Sequence, residues 1–430
     1  MNTTRRDFLR LAATAGILSQ VDPFTSRLFA APQSPTGSSL VVIFLRGAAD
    51  SMNMLVPLGD PGYEAMRPTI ASTIAEGVVP LDKTFGLHPA MKSLKPWFDS
   101  GKFAPIVCTG SPHQTRSHFD AQDWMEFAAP GDRTMRNGWI NRYLEATKPK
   151  QDNASEFRAL GMQELLPRSL RGSYPVLAVP TSLGRRKASK TLDRFEQFYG
   201  DSGEMMEGGA SMSGQREEDS AGVVQSGRIT IQTLRRFGEI VEVAEKKKKK
   251  AIRENQTVSG PIYPNSRFAN RLQKIALVLR ANEGLEVAGI DYGGWDDHTQ
   301  EGGVEGRMAD RMTDLSRSLA AFCQDLGPQL ETTSILVMSE FGRTCHENGN
   351  SGTDHGHGGS MLLLGGGVKG GKVHGDWRGL GEADLYQGRD LAVTTDFRDV
   401  MKEVLENGLG FEPPKEFFPQ YQASGVRGLY

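Results

Sequence analysis

The chain is poor in cysteine. Its 430 residues include three, Cys108, Cys323 and Cys345, and so sparse and odd a set excludes a disulfide framework. No Cys-x-x-Cys and no haem-attachment motif is present, so nothing supports a thiol or haem redox enzyme. Charge of one sign is lacking too. The 50 Lys and Arg stand against 52 Asp and Glu, a formal net charge of -2, which excludes a basic field for nucleic acid as well as a strongly acidic one. Beyond the first thirty or so residues no apolar run is long enough to cross a bilayer, so no integral membrane segment is expected in the mature protein. Cys108 falls in a strand-like run and Cys323 on a helix face, both core environments. Cys345 lies in a polar loop.

The amino terminus reads Arg5-Arg6-Asp7-Phe8-Leu9, then a short apolar run from Leu11 to Leu18, then Ala30 and Ala31 before Pro32. A basic region, an apolar region and a small-residue cleavage site in that order predict a twin-arginine signal peptide over residues 1–31. The expected location is therefore periplasmic or extracellular, with the twin-arginine translocase as the partner during export. The roughly 400 residues that follow are enough for a large α/β domain, and residues 38–430 read as a single one. Apolar β-type runs occur at Ser39–Leu45, Phe103–Cys108, Tyr174–Val179, Leu285–Ile290, Thr333–Met338 and Met361–Leu364. Helical patterns lie between them, at His88–Phe98, Ser117–Phe127, Arg267–Ala281, Met308–Leu326 and Asp396–Leu405. This alternation predicts a doubly wound, mostly parallel sheet with helices on both faces, whose functional groups gather at the carboxyl ends of the strands. The Gly-, Ser-, Glu- and Met-rich stretch around 201–226 has no apolar period and is expected to be a mobile insertion. The lysine run Lys246–Lys250 reads as a solvated helix face.

Polar residues collect directly after the strand-like runs. Arg46 and Asp50 follow the first. The second leads to Thr115, Arg116, Ser117 and His118, Ile290 leads to Asp296 and His298, and Met338 to Glu340 and Arg343. A later loop reads Thr353-Asp354-His355-Gly356-His357. Each has a plain structural reading. Asp50 is placed to cap a turn, Ser117 resembles a helix cap with Asp120 three residues on, and His88 precedes Pro89 as at a helix start. Two imidazoles and a carboxylate within four residues, set between glycines, suit a metal site better than a surface loop. Such carboxylates and imidazoles hold zinc, manganese or calcium, and one or two such ions clamp a small anionic ester. Arg46, Arg116 or Arg343 are placed to hold its oxygens through a guanidinium fork.

The segments LRGAADSMN (Leu45–Asn53), RSHFDAQD (Arg116–Asp123), GGWDDH (Gly293–His298), SEFGR (Ser339–Arg343), GTDHGHG (Gly352–Gly358) and LLGGGVKGG (Leu363–Gly371) resemble domain-of-unknown-function family 1501, bacterial proteins exported by the twin-arginine route. That family is similar to the alkaline phosphatase and sulfatase superfamily. The resemblance implies an alkaline phosphatase-like fold and hydrolysis of phosphate or sulfate esters at a site with a Ser, Thr or water nucleophile. It implies Asp50, Asp296, His298, Glu340 and His355 as metal ligands, with Asp354 or His357 supplying the imidazole or carboxylate missing where Phe341 follows Glu340. Ser117, or Thr115, takes the place of the nucleophile. The departure at Phe341 leaves a second function class open, an exported binding or assembly protein that keeps the fold without catalysis.

Overall fold

The computed structural model of the chain describes residues 37–149, 157–180, 214–254, 260–426 and 428–430. The export signal predicted over 1–31 and residues 201–213 of the predicted insertion lie outside them.

Eleven strands are found among the described residues: β1 (Ser39–Arg46), β2 (Leu55–Val56), β3 (Val79–Pro80), β4 (Gly86–Leu87), β5 (Phe103–Gly110), β6 (Ala159–Gly161), β7 (Leu177–Ala178), β8 (Val287–Gly293), β9 (Thr333–Ser339), β10 (Gly359–Gly365) and β11 (Thr395–Asp396). Eight of them form one sheet in the order β11-β5-β10-β9-β1-β8-β6-β7, while β2, β4 and β3 make a small second sheet. In the large sheet β10 runs antiparallel to both β9 and β5, and the remaining pairings are parallel. The architecture is therefore α/β, with a mixed, mostly parallel sheet.

Continuous apolar runs make the central strands because both faces of the sheet are covered. Along β1, Val41, Ile43 and Leu45 enter one core with Leu272 and Ile275 of the Arg267–Ala281 helix and Met312 and Leu319 of the Arg307–Leu326 helix. The alternate residues Leu40, Val42 and Phe44 enter the other core with Ile140 and Tyr143 of the Trp139–Ala146 helix and Val400 of the Phe397–Glu403 helix. The period of two along the strand thus feeds two separate helix layers.

The predicted elements differ from the observed ones at a few places. The Tyr174–Val179 run contributes only the two residues of β7. The His88–Phe98 pattern forms a 3-10 segment, Pro89–Leu94, followed by a short helix, Lys95–Asp99, with the His88 Nδ1 accepting from the Ala90 N–H at 3.1 Å. Residues 214–226 open a helix that runs Gly214–Arg253 and carries the lysine run near its end, where Lys246 and Lys249 pair with Glu242 and Glu245 one turn back. Gly365-x-Gly367-x-x-Gly370 follows β10 but continues through turn and coil rather than opening a helix, so it offers no helix N-terminus to a pyrophosphate. All three thiols are buried, and burial pushes each up to about 12. That includes Cys345, which the sequence placed in a polar loop and which is an inert core thiol.

Candidate metal centre

Parallel pairing brings the carboxyl ends of β1, β5, β8 and β9 to one edge of the sheet. Because β10 is antiparallel, its first residue lies at that edge too. Five loops therefore meet there: Gly47–Asp50, Ser111–Ser117, Gly294–Gly306, Glu340–Arg343 and Asp354–Gly358. They cross at backbone contact distance. A Cβ on Gly342 would stand 1.8 Å from the Gly358 carbonyl oxygen, and one on Gly47, held at φ +117, would stand 2.6 Å from the Asp296 nitrogen. Only glycine permits that approach and that dihedral. β5 reaches the edge through a bulge at Cys108, whose φ is +53, opposite a register shift between Gly359 and Ser360; bulges of this kind re-aim the chain beside functional sites.

Three imidazoles and one carboxylate converge at this edge. Among the described residues, ligand atoms of His118, Asp296 and His355 lie within 4.8 Å of one another. The His118 Nε2 is 3.4 Å from the Asp296 Oδ2, and the His355 Nε2 is 3.2 Å from the Asp296 Oδ1. His298 joins them, its Nε2 3.0 Å from the Asp296 Oδ1 and 3.0 Å from the His355 Nε2.

The opposite nitrogen of every ring is held by an acceptor. The His118 Nδ1 lies 2.8 Å from the Glu340 carboxylate, the His298 Nδ1 3.1 Å from the Asp354 carboxylate, and the His355 Nδ1 2.9 Å from the Arg116 carbonyl oxygen. A carbonyl or carboxylate can only accept, so each Nδ1 carries a proton, and each neutral ring presents the lone pair of its Nε2 to the common centre. Lone pairs 3.0 Å apart repel unless a cation or a proton lies between them. The buried Nε2 of His118 has no hydrogen-bond partner. The His298 Nε2, the His355 Nε2 and the Asp296 Oδ1 stand 3.0–3.2 Å apart, the edge length of a coordination polyhedron, about 2.9–3.3 Å for ligands roughly 2.05 Å from a central ion, while His118 approaches the other oxygen, Oδ2, at 3.4 Å. The donor set of three nitrogens and one carboxylate oxygen fits zinc or a similar transition metal. Calcium, which takes oxygen ligands, does not suit it.

The surrounding groups fix this arrangement. Glu340 is 1 % exposed. Its Oε1 accepts from the Gly47 N–H at 2.9 Å and the Gln122 amide at 2.9 Å as well as from His118. Burial alone would raise its pKa, but these donors outweigh it and hold the carboxyl below its ordinary range. The His118 ring is raised, chiefly by its hydrogen bond to Glu340. His355 is lowered, chiefly by burial. Asp296 is lowered, because the charge and hydrogen bond of Arg343, 2.6 Å away, overcome its partial burial. Phe341 forms an apolar wall, stacked on His118 with ring centroids 5.1 Å apart and tilted against His355 at 5.2 Å.

Of the residues expected at the site, Asp296, His298 and His355 meet at the centre, while Glu340 and Asp354 stand one step behind, holding imidazoles. Asp50 is elsewhere. Its carboxylate caps the Ser51–Met54 helix and pairs with the buried Arg67 guanidinium at 2.5 and 3.1 Å. Glu301, also buried, lies alongside; burial first, and then the charge of Asp50, raise its carboxyl well above the usual range. His357 is buried, stacked on Tyr386 with centroids 4.1 Å apart, and lowered by burial. Arg46 bridges Glu126 and Asp291, both at 2.7 Å; Arg116 pairs with Asp390 at 2.6 Å; and Arg343 is buried among four main-chain carbonyls and Asp296. Thr115 accepts from the Ser117 N–H through its hydroxyl. Ser117 is exposed at the start of the His118–Phe127 helix and makes no side-chain capping bond, so the capping box suggested by Asp120 is not formed.

His118 was noted after its strand but not as a ligand, and Gln122 was missed by sequence reasoning. Their four-residue spacing on one helix turns both toward Glu340, as neighbours one turn apart on a helix face must.

A comparison with curated proteins finds no match to the chain. The family described as "Protein of unknown function (DUF1501)" matches residues 38–412, and the chain, with the strand-edge centre it carries, belongs to that family.

Proposed function

We propose that this chain binds one divalent transition-metal ion through His118, Asp296, His298 and His355 and hydrolyses phosphate or sulfate esters there, on a fold of the alkaline phosphatase type. Export through the twin-arginine translocase to the periplasm or beyond is part of the same reading and rests on residues 1–31. The observation that carries the metal is the ring of three imidazoles, each with its Nδ1 proton held from behind and its Nε2 turned inward. The proposal is for one ion, because Asp50, expected as a ligand, is paired with Arg67, and the two candidates for the position left by Phe341 are engaged elsewhere, His357 against Tyr386 and Asp354 behind His298.

A bound divalent ion would supply Lewis-acid polarisation of the ester oxygen. The chain's own groups do the rest. Ser117, exposed and adjacent to His118, offers the nucleophilic hydroxyl, with Thr115 orienting its backbone. Phe341 walls the centre beside His118 and His355.

The test is metal content followed by turnover. Metal-loaded protein should hold one equivalent and cleave a chromogenic phosphate or sulfate ester. Asp296→Ala and His355→Ala should lose both metal and turnover, and Ser117→Ala should lose turnover while keeping the metal. One observation favours the second reading, an exported binding or assembly protein. Arg46, Arg116 and Arg343, the guanidiniums expected to hold the ester, are all in ion pairs within the fold. Full metal loading without cleavage of any ester would decide for that reading.

A further inference from the structure

Charge around the imidazole ring can be counted from the ion pairs. Asp296, Glu340 and Asp354 face or back the three imidazoles. Asp390 sits just beyond, holding Arg116 at 2.6 Å and lying 3.6 Å from the Nε of Arg389. Both of these arginines reach His355. The Arg389 guanidinium donates to its carbonyl oxygen at 2.8 Å, and the Arg116 carbonyl accepts from its Nδ1. Arg343 binds Asp296. Two further networks flank the site and offset each other: Arg46 lies between Glu126 and Asp291, and Asp297 lies between Arg307 and Arg311. The immediate ring thus sets four carboxylates against three guanidiniums, one negative charge in excess. A divalent cation at the centre turns that into one positive charge.

Charge of that size complements an anion bearing a single charge. An alkyl phosphate monoester carries close to two above its second pKa of about 6, whereas a phosphodiester or a sulfate monoester carries one. A dianion needs a second uncompensated cation, normally a guanidinium fork, and the charges of Arg116 and Arg343 are already met by Asp390 and Asp296, each through one guanidinium nitrogen. We infer that the centre selects singly charged tetrahedral esters, phosphodiesters or sulfate monoesters, over doubly charged phosphate monoesters. For turnover the inference rests on the hydrolase reading; for binding it stands without it.

Binding is measured first, by titration calorimetry at pH 8.5 on the full chain carrying one equivalent of zinc. The probes are ethyl phenylphosphonate, a monoanion, and phenylphosphonate, a dianion, neither of which is cleaved. The monoanion should bind at least about tenfold more tightly than the dianion, and metal-free protein, whose ring is negative, should bind neither. Arg389→Gln removes one positive charge from a half-exposed position and should weaken the monoanion about fivefold while leaving zinc stoichiometry unchanged. Turnover is then compared for bis(p-nitrophenyl) phosphate, p-nitrophenyl sulfate and p-nitrophenyl phosphate. A kcat/KM higher for either of the first two supports the inference and tells the diester from the sulfate. Equal or tighter binding of the dianion, or no anion binding to zinc-loaded protein, overturns it. Selective monoanion binding with no cleavage of any ester overturns the hydrolase reading alone.

Discussion

Two aspartates stand at the same edge of the sheet, each a few residues past a strand, and they have opposite surroundings. Asp50, after β1, is buried with its charge met by the Arg67 guanidinium, which is itself fully buried and donates also to the carbonyls of Thr344 and Cys345. Asp296, after β8, has a side chain 43 % exposed, and three imidazole nitrogens lie within 3.4 Å of it. The first is a strut. Its negative charge is neutralised by a cation belonging to the chain, and its remaining lone pairs go to a helix N-terminus. The second is surrounded by lone pairs as well as by Arg343, and an added cation would relieve that crowding. The same residue type at equivalent places becomes a support or a candidate ligand according to which counter-charge reaches it.

Replacing the two aspartates separates these roles. Asp50→Ala leaves the Arg67 guanidinium buried and unpaired and should cost about 3–5 kcal/mol of folding stability, read as a lowered midpoint in urea unfolding of metal-free protein. Asp296→Ala takes the carboxylate from the buried Arg343 guanidinium but leaves it on four main-chain carbonyls beside a solvent-facing position, and should lower that midpoint less, by about 1–2 kcal/mol. Equal midpoints for the two variants would erase the distinction drawn between them. Behind the centre, Glu340→Gln keeps the shape but takes the negative charge from His118. Metal affinity should fall about 10- to 100-fold with the stoichiometry unchanged, as measured by competition with a chromogenic chelator. An unaltered affinity would show that Glu340 does not orient the ring.

The strut is also sensitive to pH, through Glu301. Its carboxyl is raised in the folded protein, so the unfolded chain loses that proton first as pH rises. The stability Glu301 contributes is full below the ordinary glutamate range and declines above it until the folded carboxyl ionises too. The slope is about 1.4 kcal/mol for each pH unit crossed. Glu301→Gln, which cannot ionise, should therefore flatten the fall in stability of metal-free protein between pH 5 and 8. A variant whose stability falls in parallel with the wild type would show that Glu301 is ionised in the fold.

Much of the scaffold was legible because strands buried on both faces are continuous apolar runs: β1, β5, β8, β9 and the antiparallel β10 all lie where such runs occur. β2, β3, β4, β6 and β11 are two or three residues long, too short for any period to show. Residues 214–226 read as a loop because Gly, Ser and Glu leave no apolar period in that stretch of the sequence. At the site, Asp296, His298 and His355 were visible from their places at strand ends. What the sequence could not show was pairing at long range. Glu340 meets His118 from 222 positions away, and Arg343 is drawn into carbonyls of two other loops. Arg67 lies only 17 positions from Asp50, yet nothing in the intervening chain signals a buried pair. Ser117 drew attention away from His118 because hydroxyls at helix starts have two familiar uses.

The most direct test of the metal centre is the zinc content of the purified, dialysed full chain and its variants, measured by inductively coupled plasma mass spectrometry alongside circular dichroism to confirm folding. One equivalent should be found in the wild type and in Asp50→Asn, and none in His118→Ala, Asp296→Ala or His355→Ala. Zinc retained by all three of those folded variants, or lost from folded Asp50→Asn, would contradict the assignment.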